Sequence, residues 1–365
     1  MQERLTHLSN WMKLNEIQVS FLTSTENVFY FSQFYSDPHE RLLAIVLFQN
    51  DDPILVCPGM EKEEAKKAGW PYLIIGYSDT DHPWELIEKE IKIRVSKIER
   101  IAIEKEHMNV ERYEKISALF PNASILSAEG KIRELRMIKD KSELEKIRKA
   151  CTFADYAIEI GCQEIKEGKT ELDVLASIEY ELKKKGISKM SFSTMVLTGA
   201  NAASPHGSPG NTKIQKGDLV LFDLGVVVEG YCSDITRTVA YGDINEQQLK
   251  IYDTVLKAQL AAIKASTPGI ACSDIDTAAR NVIREAGYGE FFPHRLGHGL
   301  GISIHEFPSL TETNPLLLQE GMVFTIEPGI YVPEVAGVRI EDDVLVTKDG
   351  LEVLTQFPKE LQIIS

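Results

Sequence analysis

Residues 219–234 read LVLFDLGVVVEGYCSD. The first half is an apolar, strand-like run with one carboxylate, Asp223, in its middle. An ionised carboxylate in an apolar interior is very costly unless it is paired or holds a cation. The turn residues Glu229-Gly230 then lead back through YCSDITRTVAY, so 218–241 reads as a hairpin. A turn centred there puts Asp234 opposite Asp223 or one diagonal step away, and like charges at that separation repel.

A second hairpin, 321–347, repeats the design. VFTIEPGIYV carries Glu327 and VRIEDDVLVT carries Glu341, joined by a loop around Pro333-Glu334. Between the hairpins lies RLGHGLG, with His298 flanked by Gly297 and Gly299, residues that let backbone approach a crowded site closely. Four buried carboxylates cannot neutralise one another. An oxygen-rich set with one imidazole suits hard or borderline divalent ions, and four carboxylates suit two of them. Paired metals about 3.5–4 Å apart are a recurring hydrolytic device. Any one of these acids alone reads as an ordinary strand-edge residue; Asp223, Asp234, His298, Glu327 and Glu341 together read as a metal centre.

The rest of the chain sets the frame. Its 365 residues and 43% hydrophobic content allow about two domains. A net charge of -15 argues against a nucleic-acid or anionic-membrane partner. The N-terminal MQERLTHLSNWMKLNE has no apolar signal core, and no run is long enough to cross a membrane. The five cysteines are odd in number and widely spaced, as expected of reduced thiols in a cytoplasm.

Residues 18–23, 42–48, 72–77 and 100–104 read as strands, and 60–68, 84–92 and 109–119 as helices, giving an α/β first domain over 1–130. Ser142 with Glu145 offers a capping box for a helix opening the second domain, 131–365. Thr170 with Asp173 offers another, closed by Gly186. With helical segments near 245–266 and 273–286, the second domain reads as α+β, an antiparallel sheet covered by helices.

At this point the pieces FDLG, GYCSDITRT, RLGHGLG, HEFP, IEPGIYV and RIEDD resemble, in order and spacing, the pita-bread metallopeptidases: methionine aminopeptidase, aminopeptidase P and Xaa-Pro dipeptidase (prolidase). TSTENVFYFSQF (23–34) is similar to the creatinase/prolidase N-terminal domain. The resemblance implies that Asp223 binds one ion, His298 and Glu327 the other, and that Asp234 and Glu341 bridge them. It implies Mn²⁺, or Co²⁺ or Zn²⁺, and a hydroxide held between the ions that attacks the scissile carbonyl. Glu327 matches the proton acceptor for that water. His206, in SPHGSPG, matches a histidine that contacts substrate and helps move the proton, and His305, in HEFP, one that steadies the oxyanion.

The same resemblance favours an Xaa-Pro dipeptidase. FYSDPHERLLAIV (34–46) resembles a loop that closes over the active site of bacterial prolidases, with Asp37, His39, Glu40 and Arg41 as its polar residues. Arg295 matches a residue that holds a dipeptide's carboxylate, and Arg339, in VRIEDD, is assigned to substrate with it. Taken alone, SDP is simply a good solvated turn. The alternatives are an aminopeptidase P acting on longer Xaa-Pro peptides, a metal-free creatinase-like enzyme and a non-catalytic relative. A homodimer is implied.

Other features are set aside. Cys232 shares a strand face with Asp234 but reads as core. His294 precedes His298 by four residues, a helical ligand spacing that the glycines around His298 argue against. EGKT (167–170) lacks phosphate-loop spacing. Thr236 and Arg237 are expected to orient Asp234 through hydrogen bonds.

Overall fold

The computed structural model describes residues 1–205 and 207–365, so His206 lies outside the described residues. The chain forms two compact units, Met1–Leu135 and Arg136–Ser365. Among the described residues no helix is long and apolar enough to cross a membrane.

The first unit is built on a six-stranded mixed sheet in the spatial order Ile74–Tyr77, Ile54–Pro58, Ala44–Phe48, Val19–Leu22, Arg100–Ile103, Ser124–Ser127. The strands expected at 18–23, 42–48, 72–77 and 100–104 and the helices expected at 60–68, 84–92 and 109–119 form; the strands Ile54–Pro58 and Ser124–Ser127 and two N-terminal helices appear beyond those expectations. Gln2–Leu14 is a helix that buries Leu5, Leu8 and Met12, a spacing of three and four residues that gives one apolar stripe. Thr25–Ser32 is a helix capped by Ser24, whose side chain accepts from the Asn27 N–H.

The second unit carries the two hairpins, each with its own pair of helices. Helices Lys141–Glu164 and Glu171–Lys184 share a core with the first hairpin through Ala154, Ile158, Ile178, Val220, Phe222 and Ile235. Helices Glu246–Ala265 and Cys272–Glu285 share another with the second hairpin through Ile251, Ile275, Phe324, Ile326 and Val344. Helix Lys141–Glu164 does not start at Ser142: Asp140 is the cap, boxed with Glu143, while the Ser142 hydroxyl donates to Asp140 at 2.7 Å. The DKSE run satisfies the same box two residues earlier with an equally good capping acid. The box at Thr170 and Asp173 forms as expected.

Strand periodicity decides where the acids point. In Leu219–Leu224, Val220, Phe222 and Leu224 enter the helix-covered core, so Asp223 faces the other way. Glu229 and Gly230 both have positive φ, closing a tight turn. Asp223 pairs with Thr236, which leaves Asp234 one diagonal step away. In the second hairpin the pairs Gly329↔Arg339 and Ile326↔Asp342 keep one register on both sides of Glu327, setting it across from Glu341. The hairpins touch where the Glu341 N–H donates to the Thr236 carbonyl at 3.0 Å. The acid-bearing faces therefore meet between the two cores.

Candidate metal and peptide site

A cavity of about 370 Å³ opens at that meeting point, at the small end of the roughly 300–1,000 Å³ usual for ligand pockets. Asp223, Asp234, His298, Glu327, Glu341, His305, Arg295 and Arg339 all line it. Phe192, Met195, Ile304 and Pro205 form an apolar side.

His298 sits on the strand Gly297–Gly299, not on a helix. A Cβ on Gly297 would lie 1.9 Å from the Thr325 carbonyl oxygen, and one on Gly299 2.2 Å from that of Phe307. Only glycine admits this packing, so the two glycines seat the imidazole against its neighbours. The His298 Nδ1 meets the Gly299 carbonyl at 3.1 Å; a carbonyl only accepts, so Nδ1 carries the proton and Nε2 presents a lone pair. Nε2 lies 3.3 Å from Glu327 and 3.7 Å from Asp234. Burial, with the nearby His305, pushes the His298 pKa down to about 3, so the ring is neutral at physiological pH.

The carboxylates are short of donors. Among the described residues, Asp223 Oδ1, Asp234 Oδ1 and Glu341 Oε1 are buried with no hydrogen-bond partner. Their sister oxygens are accounted for at Asp223, which takes Arg339, and at Glu341, which accepts from Thr236 at 2.6 Å. Burial, and then repulsion from the neighbouring site carboxylates, holds Asp234 and Glu341 well above the usual carboxylate range. Burial raises Glu327 to about 7, with Arg339 opposing and Asp223 adding to the rise. Orphaned buried oxygens of three acids, converging with a neutral imidazole nitrogen, are what a divalent cation would satisfy. Among the described residues, Asp234, His298 and Glu341 bring ligand atoms within 4.8 Å of one another.

The fold of this site matches known proteins closely. The family described as metallopeptidase family M24 matches residues 145–348, and the creatinase/prolidase N-terminal domain matches residues 4–138. The chain belongs to metallopeptidase family M24. This M24 chain is 54% identical over 361 residues to a Bacillus subtilis protein named "Putative dipeptidase YkvY", covering 99% of each. Among solved structures it is similar to the prolidase from Pyrococcus horikoshii OT3, with TM-score 0.90 and 36% identity over 99% of this chain and 100% of that one. It is similar to an Xaa-Pro dipeptidase from Bacillus anthracis, with TM-score 0.92 and 32% identity over 99% of both chains. An X-Pro aminopeptidase from Thermotoga maritima gives TM-score 0.86 and 32% identity over 96% of this chain and 98% of that one. The two-part architecture of α/β N-terminal domain and α+β metallopeptidase domain is the one expected.

Several residues of the M24 site have partners that the sequence did not reveal. Thr236 and Arg237 do not orient Asp234 by side-chain bonds. Thr236 serves Glu341, and Arg237 binds Asp342 at 2.7 Å and the Phe357 carbonyl at 2.7 Å, because its strand position turns it toward the second hairpin and the C-terminal segment. Asp234 is instead held by its backbone N–H, which donates to Asp343 at 2.8 Å. Arg339 spends all three nitrogens inside the site, on Asp223, on Thr236 at 3.0 Å and on the Tyr331 hydroxyl at 2.7 Å. Tyr331 also meets His294 Nε2 at 3.0 Å. Sequence reasoning missed this tyrosine, although it lies four residues beyond Glu327 on the same arm of the hairpin, whose register is kept across Glu327, and both line the cavity. Arg295 reaches Ser309 at 3.3 Å through one nitrogen. Cys232 stays apart, its thiol 3.5 Å from the Ile302 carbonyl and raised by burial to about 12.

The remaining substrate candidates belong to the first unit. There His39 has φ 55°, and Asp37 lies 3.9 Å from its ring. Arg41 pairs with Asp79 at 2.8 Å.

Proposed function

We propose that this M24 chain is a metal-dependent Xaa-Pro dipeptidase. One observation carries the reading: orphaned carboxylate oxygens, a neutral imidazole and a guanidinium, that of Arg295, converge on one small cavity with an apolar wall. Asp223, Asp234, His298, Glu327 and Glu341 would hold two divalent ions, with Asp234 and Glu341 serving both; the oxygen-rich set would favour Mn²⁺. When bound, the ions supply Lewis acidity and bring a water's pKa from about 15.7 to near 7. Glu327, 3.3 Å from His298 on the cavity wall, would take the proton of the attacking water. His305 donates an N–H toward the carbonyl oxygen as charge develops there, and His206 contacts the substrate and moves the proton toward the leaving nitrogen. Arg339 orients Asp223, and so leaves Arg295 as the cation for the substrate's carboxylate. Asp37, His39 and Arg41 are assigned to substrate on the resemblance of the 34–46 loop. The enzyme acts in the cytoplasm as a homodimer.

Aminopeptidase P is the second reading, favoured by the likeness to the Thermotoga X-Pro aminopeptidase. The two activities differ in the group attached beyond proline. A dipeptide's carboxylate lies one residue beyond the scissile bond and meets Arg295. A charged hydrogen bond contributes about 1.5–3 kcal/mol, so losing it costs roughly 10–100-fold. Ala-Pro should therefore exceed Ala-Pro-Ala by at least that factor in kcat/KM, and Arg295→Ala should lose about 10–100-fold on Ala-Pro alone. Comparable turnover of the tripeptide by the wild type assigns the chain to aminopeptidase P. Unchanged dipeptide kinetics in Arg295→Ala removes the clamp.

A further inference from the structure

Glu171 is the first residue of helix Glu171–Lys184 and has no exposed surface. It does not line the cavity. Its carboxylate collects hydrogen bonds from a separate stretch of chain. Oε1 accepts from the Thr198 N–H at 2.8 Å and from Asn201 Nδ2 at 2.9 Å. Oε2 accepts from the Gly210 N–H at 2.8 Å and from the same Asn201 nitrogen at 3.0 Å. Asn201 reaches on to the Ser208 carbonyl at 3.3 Å. The start, the first turn and the end of segment 198–210 thus converge on one side chain.

The segment is braced elsewhere too. The Thr198 hydroxyl donates to Asp218 at 2.9 Å. On the turn Gly199–Ala203, the Ala202 carbonyl abuts Gly337, where a Cβ would lie 1.6 Å from its oxygen. Gly337 belongs to the strand Ala336–Arg339 of the acid-bearing second hairpin. Between these braces the segment supplies Pro205 to the cavity wall and carries His206 in its sequence.

We propose that Glu171 is a positioning residue: its carboxylate clasps segment 198–210 and so fixes that wall of the substrate cavity. The part of the proposal that concerns His206 rests on the function proposed above. The chemistry needs an acid at this position. A carboxylate offers acceptors to both ends of the segment, whereas the amide of glutamine offers one acceptor and turns N–H groups toward a donor. Glutamine keeps the volume and the core and breaks one end of the clasp. A buried N–H left without an acceptor is costly, so the segment end must move or open.

The test compares the metal-loaded wild type with Glu171→Gln and with Asn201→Ala, which removes only the side-chain arm. The first readout is backbone amide exchange without substrate. Exchange across 198–210 should rise about tenfold or more in Glu171→Gln, less in Asn201→Ala, and stay unchanged elsewhere, with bound Mn²⁺ retained. The second readout is kcat/KM for Ala-Pro, which should fall roughly 10–100-fold in Glu171→Gln, the range for losing a charge-assisted hydrogen bond. In a His206→Ala background the same change should cost less than about threefold, because residues acting as a unit are not additive. Wild-type exchange in segment 198–210 overturns the clasp. So does exchange rising throughout Arg136–Ser365, or loss of metal, since either makes Glu171 a general fold residue. Costs that multiply fully with His206→Ala overturn the positioning role. If wild type fails to cleave Ala-Pro, the proposed function fails while the exchange comparison still decides the clasp.

Discussion

Glu341→Ala should abolish peptidase activity and reduce the protein's bound metal. The loss should exceed the roughly 10²–10³-fold that removal of a single oxyanion donor costs, because a shared ligand serves both ions. Glu341 stands where the hairpins meet, with Oε2 held by Thr236 and Oε1 buried and unsatisfied. Elemental analysis of active wild type should find two divalent ions per chain, and Glu341→Ala should retain fewer. Full activity in the variant, or active wild type without stoichiometric metal, would sink the metal centre.

The same site makes a prediction for the metal-free protein. Glu327 has its pKa raised from 4.5 to about 7, chiefly by burial. A carboxyl raised on folding binds a proton in the native state that the unfolded chain has already released. Stability therefore falls as pH rises through that window, by on the order of 3 kcal/mol for this one group. Glu327→Gln removes the penalty. With chelator present, the variant's unfolding free energy relative to wild type should improve steadily between pH 4.5 and 7. With Mn²⁺ present the order should reverse, because the ion then satisfies the carboxylate. A metal-free Glu327→Gln protein less stable than wild type at pH 8 would show that the acid is not a burden there.

The legible part of this molecule was the part written in strand periodicity. Asp223 interrupts an apolar run, and a two-residue turn fixes its distance from Asp234; both facts are local. His298 between two glycines is equally local, since the glycines are needed for backbone contacts that a Cβ would block. Partners across long stretches of chain were not legible. Arg339 looks like a free cation in VRIEDD, and only the fold brings it onto Asp223. Arg237 looks like a neighbour of Asp234, yet its side chain serves residues more than a hundred positions away. Glu171 reads as an ordinary acid in a helix's first turn and is in fact the buried acceptor of segment 198–210. In each case local chemistry supplied the charge, and tertiary register chose its partner.

His305→Ala should lower kcat about 10²–10³-fold while leaving KM and bound metal nearly unchanged. The geometry separates this ring from the ligand set. His298 is seated by its own bonds, its backbone N–H accepted by the Thr325 hydroxyl at 3.1 Å and its Nδ1 turned to Gly299. His305 packs edge-on against it, with ring centroids 4.3 Å apart, so it borders the cavity without anchoring His298. Its backbone is held from the next residue: Glu306 binds Arg136 and accepts from the Ser303 N–H at 2.9 Å, with Lys139 at 3.5 Å. That brace survives removal of the imidazole. Burial, and then the charge of Arg295, keeps the His305 pKa below the usual histidine value, so the ring is neutral and still carries one N–H. A neutral donor contributes little to a ground-state carbonyl and more as negative charge grows on its oxygen, which places the loss in kcat. His305→Gln retains an N–H donor of similar reach and should recover part of the rate. Loss of metal in His305→Ala would make the residue a ligand. A defect confined to KM would make it a substrate contact with no part in the chemical step.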